Sequence, residues 1–502
     1  MNFTLDPNCI ESYRKFVKIK SLPTYKVTGR SIWFPDEYAD LVGLEPEYKR
    51  LVNWSPSDWL FDYQKHIVQM AVTKRKLAVF ADCGLGKTPI LLEFAQAAES
   101  NLSYTKKRTL IVSPLMVIEQ TCDECERFYK FRPEVVKSSN LKEWMNGNGG
   151  IGITNYEALT DDLEQGNLGA LILDESSMLK SHYGKWGQTI LRLGKGLDWK
   201  LACTGTPAPN DRIEYANHAV FLDHFQNVNS FLATYFVNKG QTQERWVLKP
   251  HALEPFYRAL SHWSFFLVNP GNYGFEDNSK TLPPINIHIH DVPLTDEQKA
   301  VIGVESGELF ATNMGGITSR SVMGQIAKGN YRGRDVETNK PEFIRSLVES
   351  WPEESTIIWC MYNQEQTRLE KEFPDAASIT GSTPLEKRKK LIDEFKTGKR
   401  KVLISKPKIL GFGLNLQIAT RQIFSGLQDS YESFYQAVKR SNRIGSTKPL
   451  NVHIPVTDVE EPMVSTVLKK AKMVQQDTEY QEELFRKTNG ITANKTFVNC
   501  VL

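Results

Sequence analysis

Ala81-Asp82-Cys83-Gly84-Leu85-Gly86-Lys87-Thr88 directly follows the short apolar run Ala78-Val79-Phe80, and the reading of the whole chain turns on this passage. The run is short enough for a buried parallel strand, and the residues from about Thr88 onward read as a helix. A strand, a glycine-rich loop and a helix in that order can cradle phosphates. Gly84 and Gly86, on either side of Leu85, permit backbone angles that turn several N–H groups inward. The helix start adds its positive end. Lys87 can then reach the β- and γ-phosphates of a nucleotide, and Thr88 can ligate magnesium.

A second element completes the chemistry. Asp174-Glu175-Ser176-Ser177 follows Leu171-Ile172-Leu173, and a carboxylate at the C-terminal end of a neighbouring strand faces a phosphate loop. Asp174 can hold magnesium through water, while Glu175 can orient and deprotonate an attacking water. Around these two stretches the chain alternates short apolar strands with helices. Leu110-Ile111-Val112, Gly152-Ile153-Thr154 and Leu201-Ala202-Cys203 belong to the same series. A later series holds Thr356 to Trp359, Ser378-Ile379, Val402-Leu403-Ile404, Gln422-Ile423-Phe424 and Val452-His453-Ile454. Two βα series predict an α/β fold of two tandem, doubly wound parallel-sheet lobes. The expected boundaries are a small N-terminal accessory module at 1–55, an ATP-binding lobe at 56–222, a helical insertion and linker at 223–334, a second lobe at 335–457, and a helical C-terminal extension at 458–502. Within the module, Glu11 to Ile19 reads as a helix, and Thr28-Gly29-Arg30 as the turn of a hairpin.

These residues resemble helicase superfamily two, specifically its Swi/Snf-like branch, over about Phe61 to Lys470. The resemblance implies RecA-like lobes, ATP and Mg2+ as ligands, and DNA as the partner. Tyr63-Gln64 looks like the adenine-reading element, with the Gln64 amide pairing adenine's edge. Ser113-Pro114 and Thr154-Asn155-Tyr156-Glu157 resemble the first DNA-contacting motifs. Thr204-Gly205-Thr206-Pro207 is close to the third motif, which couples hydrolysis to movement. In the second lobe, Gly411-Phe412-Gly413-Leu414-Asn415-Leu416 resembles the fifth motif and implies a coupling role for Gly413 and a DNA contact for Asn415. Gln436-Ala437-Val438-Lys439-Arg440-Ser441-Asn442-Arg443-Ile444-Gly445 resembles the sixth and implies catalytic roles for Gln436, Arg440 and Arg443. Arginines facing a γ-phosphate from the opposite lobe stabilise the charge of the transfer. Three residues apart, Arg440 and Arg443 are expected on one helical face.

The sequence departs from the family at two places. Its second motif ends in Ser176-Ser177 where the family has Ala-His or Gly-His, and the expected partners of these hydroxyls are Thr204 or Gln436. Ser405-Lys406-Pro407-Lys408-Ile409-Leu410-Gly411 is about one residue longer than usual and is similar to phage-encoded helicases, with Lys406 and Lys408 as phosphate contacts. The opening module also looks phage-like, and the functional analogy within that group is to branch-migrating helicases. Lys15, Lys18, Lys20, Tyr25 and Trp33 leave it either a DNA grip or a brace for the first lobe. The basic runs Lys328-Gly329-Asn330-Tyr331-Arg332-Gly333-Arg334 and Lys387-Arg388-Lys389-Lys390 read as solvated faces before DNA contacts. Cys122 and Cys125 read as two thiols on one helix, because no second pair lies nearby with zinc-ribbon spacing, and His288 and His290 as one face of a strand, without a third ligand at known spacing.

The bulk properties agree with a soluble enzyme. The 502 residues, 40% hydrophobic and 24% charged, exceed one compact core and exclude wholesale disorder. A net charge of +3 neither requires nor excludes nucleic acid. No apolar run approaches a membrane span, and Met1 to Asp6 does not lead into a signal peptide. Seven scattered cysteines predict free thiols in a reducing compartment, so cytoplasm is expected, the host's if the chain is phage-encoded. The function expected is an ATP-dependent DNA helicase or translocase acting on forks or junctions with little sequence preference. The alternatives are a duplex translocase that separates no strands and an ATP-gated nucleic-acid clamp.

Overall fold

The computed structural model describes residues 1–45, 54–179, 184–208, 211–240, 246–276, 282–303, 316–410, 414–427, 431–443 and 446–488. The chain divides into two compact units, Met1–Asp277 together with Asp477–Leu502, and Asn278–Gln476.

The first unit opens with the small module. Strands β1 (Asn2–Thr4), β2 (Lys26–Thr28) and β3 (Ser31–Trp33) form an antiparallel sheet in the order β1-β3-β2, beside a helix at Ile10–Ile19. The hairpin falls where Gly29, at φ +61°, supplies the left-handed residue that such a tight turn needs. Strand β1 escaped the sequence reading because three residues carry no measurable alternation. Ile19, Ile32, Phe34, Tyr38 and Val42 make the module's own core. Tyr38 also sets its ring edge-on to His224 at 5.6 Å and to His262 at 4.9 Å, so the module packs against the lobe that follows.

That lobe is built on β4 (Lys76–Ala81), β5 (Arg108–Ser113), β6 (Glu134–Val135), β7 (Ile151–Asn155), β8 (Leu168–Asp174) and β9 (Trp199–Thr204), followed by the hairpin β10 (Phe236–Asn238) and β11 (Trp246–Leu248), and by β12 (Ser264–Leu267). The sheet runs β12-β4-β9-β8-β5-β7-β6, with every neighbour parallel. All seven residues of β8 are buried, which is why its sequence is an apolar run without alternation. Strand β12 falls inside the stretch 223–334 expected to be a helical insertion and linker. Four buried residues directly after the helix Leu253–Trp263 have no period that separates a strand from one more helical turn. Phe485, on the long C-terminal helix Glu461–Thr488, packs edge-on to Phe265 of β12 with ring centres 5.0 Å apart. Cys122 and Cys125 are buried on the helix Ile118–Tyr129, as two core thiols.

The second unit contains β13 (Ile285–Asp291), a small hairpin of β14 (Asn330–Tyr331) and β15 (Arg334–Asp335), and β16 (Ser355–Trp359), β17 (Ala377–Ser378), β18 (Val402–Ser405), β19 (Ala419–Phe424) and β20 (Leu450–Val456). Its sheet runs β13-β20-β19-β16-β18-β17, again all parallel. Two parallel sheets with intervening helices are the α/β architecture expected. His288 and His290 do share one face of β13, where both rings stack on His453 of β20, at 4.7 and 5.2 Å between centres. Among the described residues no group of three His, Cys, Asp or Glu side chains can hold a metal ion. In both basic runs Arg332, Arg334, Lys387 and Lys390 are exposed as expected, but each run also has a buried member. Lys328 is buried and paired to Glu460 at 2.7 Å, and Arg388 is buried and donates to the carbonyls of Thr380, Gly381 and Thr383. Among the described residues no helix is long and apolar enough to cross a membrane.

Candidate active site

The site forms at the C-terminal ends of β4, β8 and β9. Leu77 to Ala81 are buried in the sheet, and the chain leaves it through a loop in which Gly84 (φ +89°) and Gly86 (φ +69°) take left-handed angles. The helix Lys87–Leu102 starts immediately after Gly86. Lys87 Nζ donates to the Ala81 carbonyl at 3.1 Å. Burial opposes its charge, but Cys83, Glu175, Asp82 and Asp174 outweigh that and hold the ammonium above the ordinary lysine range. Gly205 closes the other side, where a Cβ would stand 3.4 Å from the Ala81 carbonyl oxygen and 3.5 Å from Lys87 Nζ. Thr204 beside it is buried and its Oγ1 accepts from the Thr206 N–H at 3.2 Å, which fixes the turn.

Asp174 and Glu175 are 5% and 7% exposed. Burial, then the neighbouring Glu175, push the Asp174 carboxyl up to about 6, against the Ser113 hydrogen bond and Lys87. Two adjacent carboxylates in a buried position, beside a lysine and the half-exposed Thr88, are a donor set that fits a magnesium–nucleotide. Asp174 and Thr88 would hold the ion, which when bound neutralises charge between the terminal phosphates.

Several expected residues stand elsewhere than the sequence implied. Ser113 and Thr154, expected on a nucleic-acid face, are wholly buried. Ser113 Oγ donates to Asp174 Oδ2 at 2.9 Å, so it belongs to the nucleotide site, and Thr154 Oγ1 donates to the Val136 carbonyl at 2.7 Å. Ser113 ends β5 and Thr154 is the last residue but one of β7, and which way a side chain near a strand end turns is set by packing. Pro114 and Asn155 next to them are half-exposed. Gln64 does reach the loop, its Nε2 lying 3.4 Å from the Leu85 and Gly86 carbonyls, while its Oε1 accepts from the Phe61 N–H at 3.0 Å. Within the first unit, among the described residues, Ser176 does not pair with Thr204. Its Oγ meets Nε2 of His218 at 2.9 Å, and both residues are 0% exposed. No local pattern marks His218, which is 42 positions away. Tyr156 is the other group the sequence left without this role, donating from its hydroxyl to the Asp174 carbonyl at 2.7 Å.

The remaining candidates lie in the second unit. The helix Tyr431–Val438 carries Gln436 but stops before Arg440 and Arg443, which follow in turns closed by Arg440 N–H to Ala437 O and Ser441 N–H to Val438 O. The single helical face expected for them is therefore not formed. Arg440 is 1% exposed; its Nε donates to the Gln436 carbonyl at 3.1 Å, and among the described residues Nη1 and Nη2 have no partner. Arg443 is half-buried, with Nε donating to the Lys439 carbonyl at 3.1 Å. Lys406 donates to Asn363 Oδ1, and Lys408 and Asn415 are exposed. Gly413 lies outside the described residues.

The phosphate loop follows β4 and the acidic pair stands at the end of β8, with β9 between the two strands rather than the direct neighbour expected, and together they mark a nucleotide-binding α/β lobe followed by a second parallel-sheet unit. Family models match accordingly: the SNF2-related domain over residues 63–340 and the helicase conserved C-terminal domain over 339–445. The chain belongs to the SNF2-related family, the Swi/Snf-like branch of superfamily two. It is 23% identical over 434 residues to protein p41 of Acyrthosiphon pisum secondary endosymbiont phage 1, covering 78% of this chain and 91% of that protein. It is 24% identical over 484 residues to YwqA of Bacillus subtilis, named for an ATP-dependent helicase/translocase, covering 87% of this chain and 50% of that one. A Drosophila melanogaster protein, SWI/SNF-related matrix-associated actin-dependent regulator of chromatin subfamily A-like protein 1, is 23% identical over 443 residues, covering 83% and 56%. The chain thus spans about half the length of these two cellular relatives. Among solved structures, the Sulfolobus solfataricus SWI2/SNF2 ATPase core in complex with dsDNA is similar at 19% identity, over 88% of this chain and 99% of that one, with a TM-score of 0.38.

Proposed function

We propose that the chain is a DNA-stimulated ATPase that moves along DNA, acting as a helicase or translocase on forks and junctions. The observation that carries this reading is the convergence of Lys87, Asp174, Glu175 and Gly205 at one end of the first sheet. In it, Gly84, Leu85, Gly86 and Lys87 cradle the phosphates, Gln64 faces the base, Asp174 and Thr88 hold magnesium, and Glu175 takes the proton of the attacking water. Arg440 and Arg443 bring positive charge to the transferred phosphoryl group. Arg440 suits that task because a buried guanidinium with two nitrogens unpartnered among the described residues is costly until an anion meets it. Thr204, Gly205, Thr206 and Gly413 couple hydrolysis to movement. Pro114, Asn155, Lys406, Lys408 and Asn415 contact the nucleic-acid backbone, which gives little sequence preference.

The test is ATP hydrolysis with single-stranded, duplex, forked and four-way DNA beside matched RNA, run with labelled strands. Preferential stimulation by forks or four-way DNA with strand movement is the expected result. Equal stimulation by plain duplex without strand separation would reduce the function to translocation. Hydrolysis indifferent to every nucleic acid would sink the motor reading.

A further inference from the structure

Glu175 has φ +52°, a left-handed backbone on a residue that has a Cβ. Such a conformation is costly and persists only where the surroundings over-determine it. On the N-terminal side the anchors are plain. Asp174 is the last residue of β8, in register with Cys203 of β9; Tyr156 donates to its carbonyl at 2.7 Å, and Ser113 to its carboxylate at 2.9 Å. On the C-terminal side the chain is tied to the helix Tyr215–Phe221. Ser176 Oγ meets His218 Nε2 at 2.9 Å, and Asn217 Nδ2 donates to the Leu179 carbonyl. The helix is itself fixed, since Tyr215 Oη donates to Gln481 Oε1 at 2.9 Å and Phe80 of β4 stands edge-on to the His218 ring at 5.4 Å. Burial pushes the imidazole down to about 4, so at ordinary pH it is neutral and pairs with the hydroxyl as one donor and one acceptor.

We infer that His218 is a positioning residue for the reaction: through Ser176 it holds Glu175 in its left-handed conformation and aims that carboxylate at the attacking water. The inference rests on the hydrolytic reading above and adds a residue no local motif marks. Losing the bond leaves the lysine, the loop and the carboxylates in place and frees the backbone at Glu175 to relax. ATP then binds as before but is hydrolysed slowly.

The experiment compares the full-length chain with Ser176→Ala, His218→Leu, His218→Gln and the double variant Ser176→Ala/His218→Leu. Steady-state hydrolysis is measured against ATP concentration with duplex DNA present, and thermal midpoints are recorded alongside. Ser176→Ala and His218→Leu should each lower kcat by about ten- to a hundredfold, with KM for ATP within about threefold of wild type. His218→Gln should recover most of kcat, because its amide reaches the place of Nε2. The double variant should be no slower than the worse single one, since both remove the same bond. Ser176→Ala deletes one atom and folds, which separates positioning from core stability. Wild-type kcat in Ser176→Ala, or two losses that multiply in the double variant, would overturn the inference while leaving the hydrolytic reading intact. A wild type whose hydrolysis is unchanged by Lys87→Ala would overturn that reading, and this inference with it.

Discussion

Lys87 is held charged in a half-buried place because four acidic groups surround it. Replacing it with Ala removes the charge that follows the phosphates into the transition state, and also one of the groups that keep the Asp174 carboxyl from rising further. Hydrolysis by Lys87→Ala should fall at least about a hundredfold, roughly 2.7 kcal/mol, while DNA binding without nucleotide survives. Near-normal DNA-stimulated turnover would show that Gly84 to Thr88 is not the catalytic loop. The two carboxylates should separate as well. Glu175→Gln keeps shape but loses the base, so it should bind ATP and retain it, whereas Asp174→Asn should also weaken magnesium binding. Nucleotide affinity measured against magnesium concentration checks this, and equal losses in both variants would remove the division of labour.

Three element ends in the second unit meet at one carboxylate. Lys328 follows the helix Gly316–Ala327, Lys340 begins the helix Lys340–Glu349, and Glu460 precedes the helix Glu461–Thr488. Glu460 takes Lys328 at 2.7 Å and Lys340 at 2.5 Å, and Lys340 also donates to the Ser425 and Pro455 carbonyls at the ends of β19 and β20. Burial works against the Glu460 charge, but the two ammonium groups prevail and bring its pKa down to about 2 from the ordinary 4.5. A carboxyl depressed on folding contributes its stability in full above the unfolded value and loses it as pH falls through the folded value. The contribution should therefore be complete above about pH 4.5 and gone near pH 2. Glu460→Gln should cost about 3–5 kcal/mol at neutral pH, because it leaves buried ammonium charge uncompensated. Denaturant unfolding of both proteins across that range checks it: the gap should close between those limits, and a pH-independent gap would show that packing, not charge, is lost.

At the scale of the whole chain, the groups proposed for one reaction are carried by both compact units, Lys87 and the carboxylates in the first, Arg440 and Arg443 in the second. A motor of this kind should lose its response to DNA when the arginines go, even though its nucleotide site is intact. Arg443→Ala should leave ATP affinity little changed and remove most DNA stimulation, a deficit of about 10³-fold or more if the arginine acts on the transferred phosphoryl group. Arg443→Lys should rescue poorly, because an ammonium lacks the planar fork that bridges two oxygens. Steady-state hydrolysis with and without saturating forked DNA is the measurement. Full stimulation in both variants would leave the role to Arg440, whose terminal nitrogens are buried and, among the described residues, unpartnered.

What the sequence determined by itself was whatever depends on neighbours along the chain. A strand buried on both faces must be a short apolar run, so β4, β5, β7, β8 and β9 in the first sheet and β16 to β20 in the second stand out. A phosphate cradle needs glycine, lysine and threonine at fixed spacing, so Gly84 to Thr88 declares itself. Strand β12 did not, because four apolar residues fused to a helix end have no period of their own. The tertiary structure alone decided the rest. Ser113 and Thr154 turn inward because packing, not spacing, selects the face of a residue near a strand end. Ser176 finds His218 across 42 positions, and Lys328 finds Glu460 across 132. Each of these groups is buried, and a buried polar atom must take whichever partner the fold brings within reach, however distant in sequence.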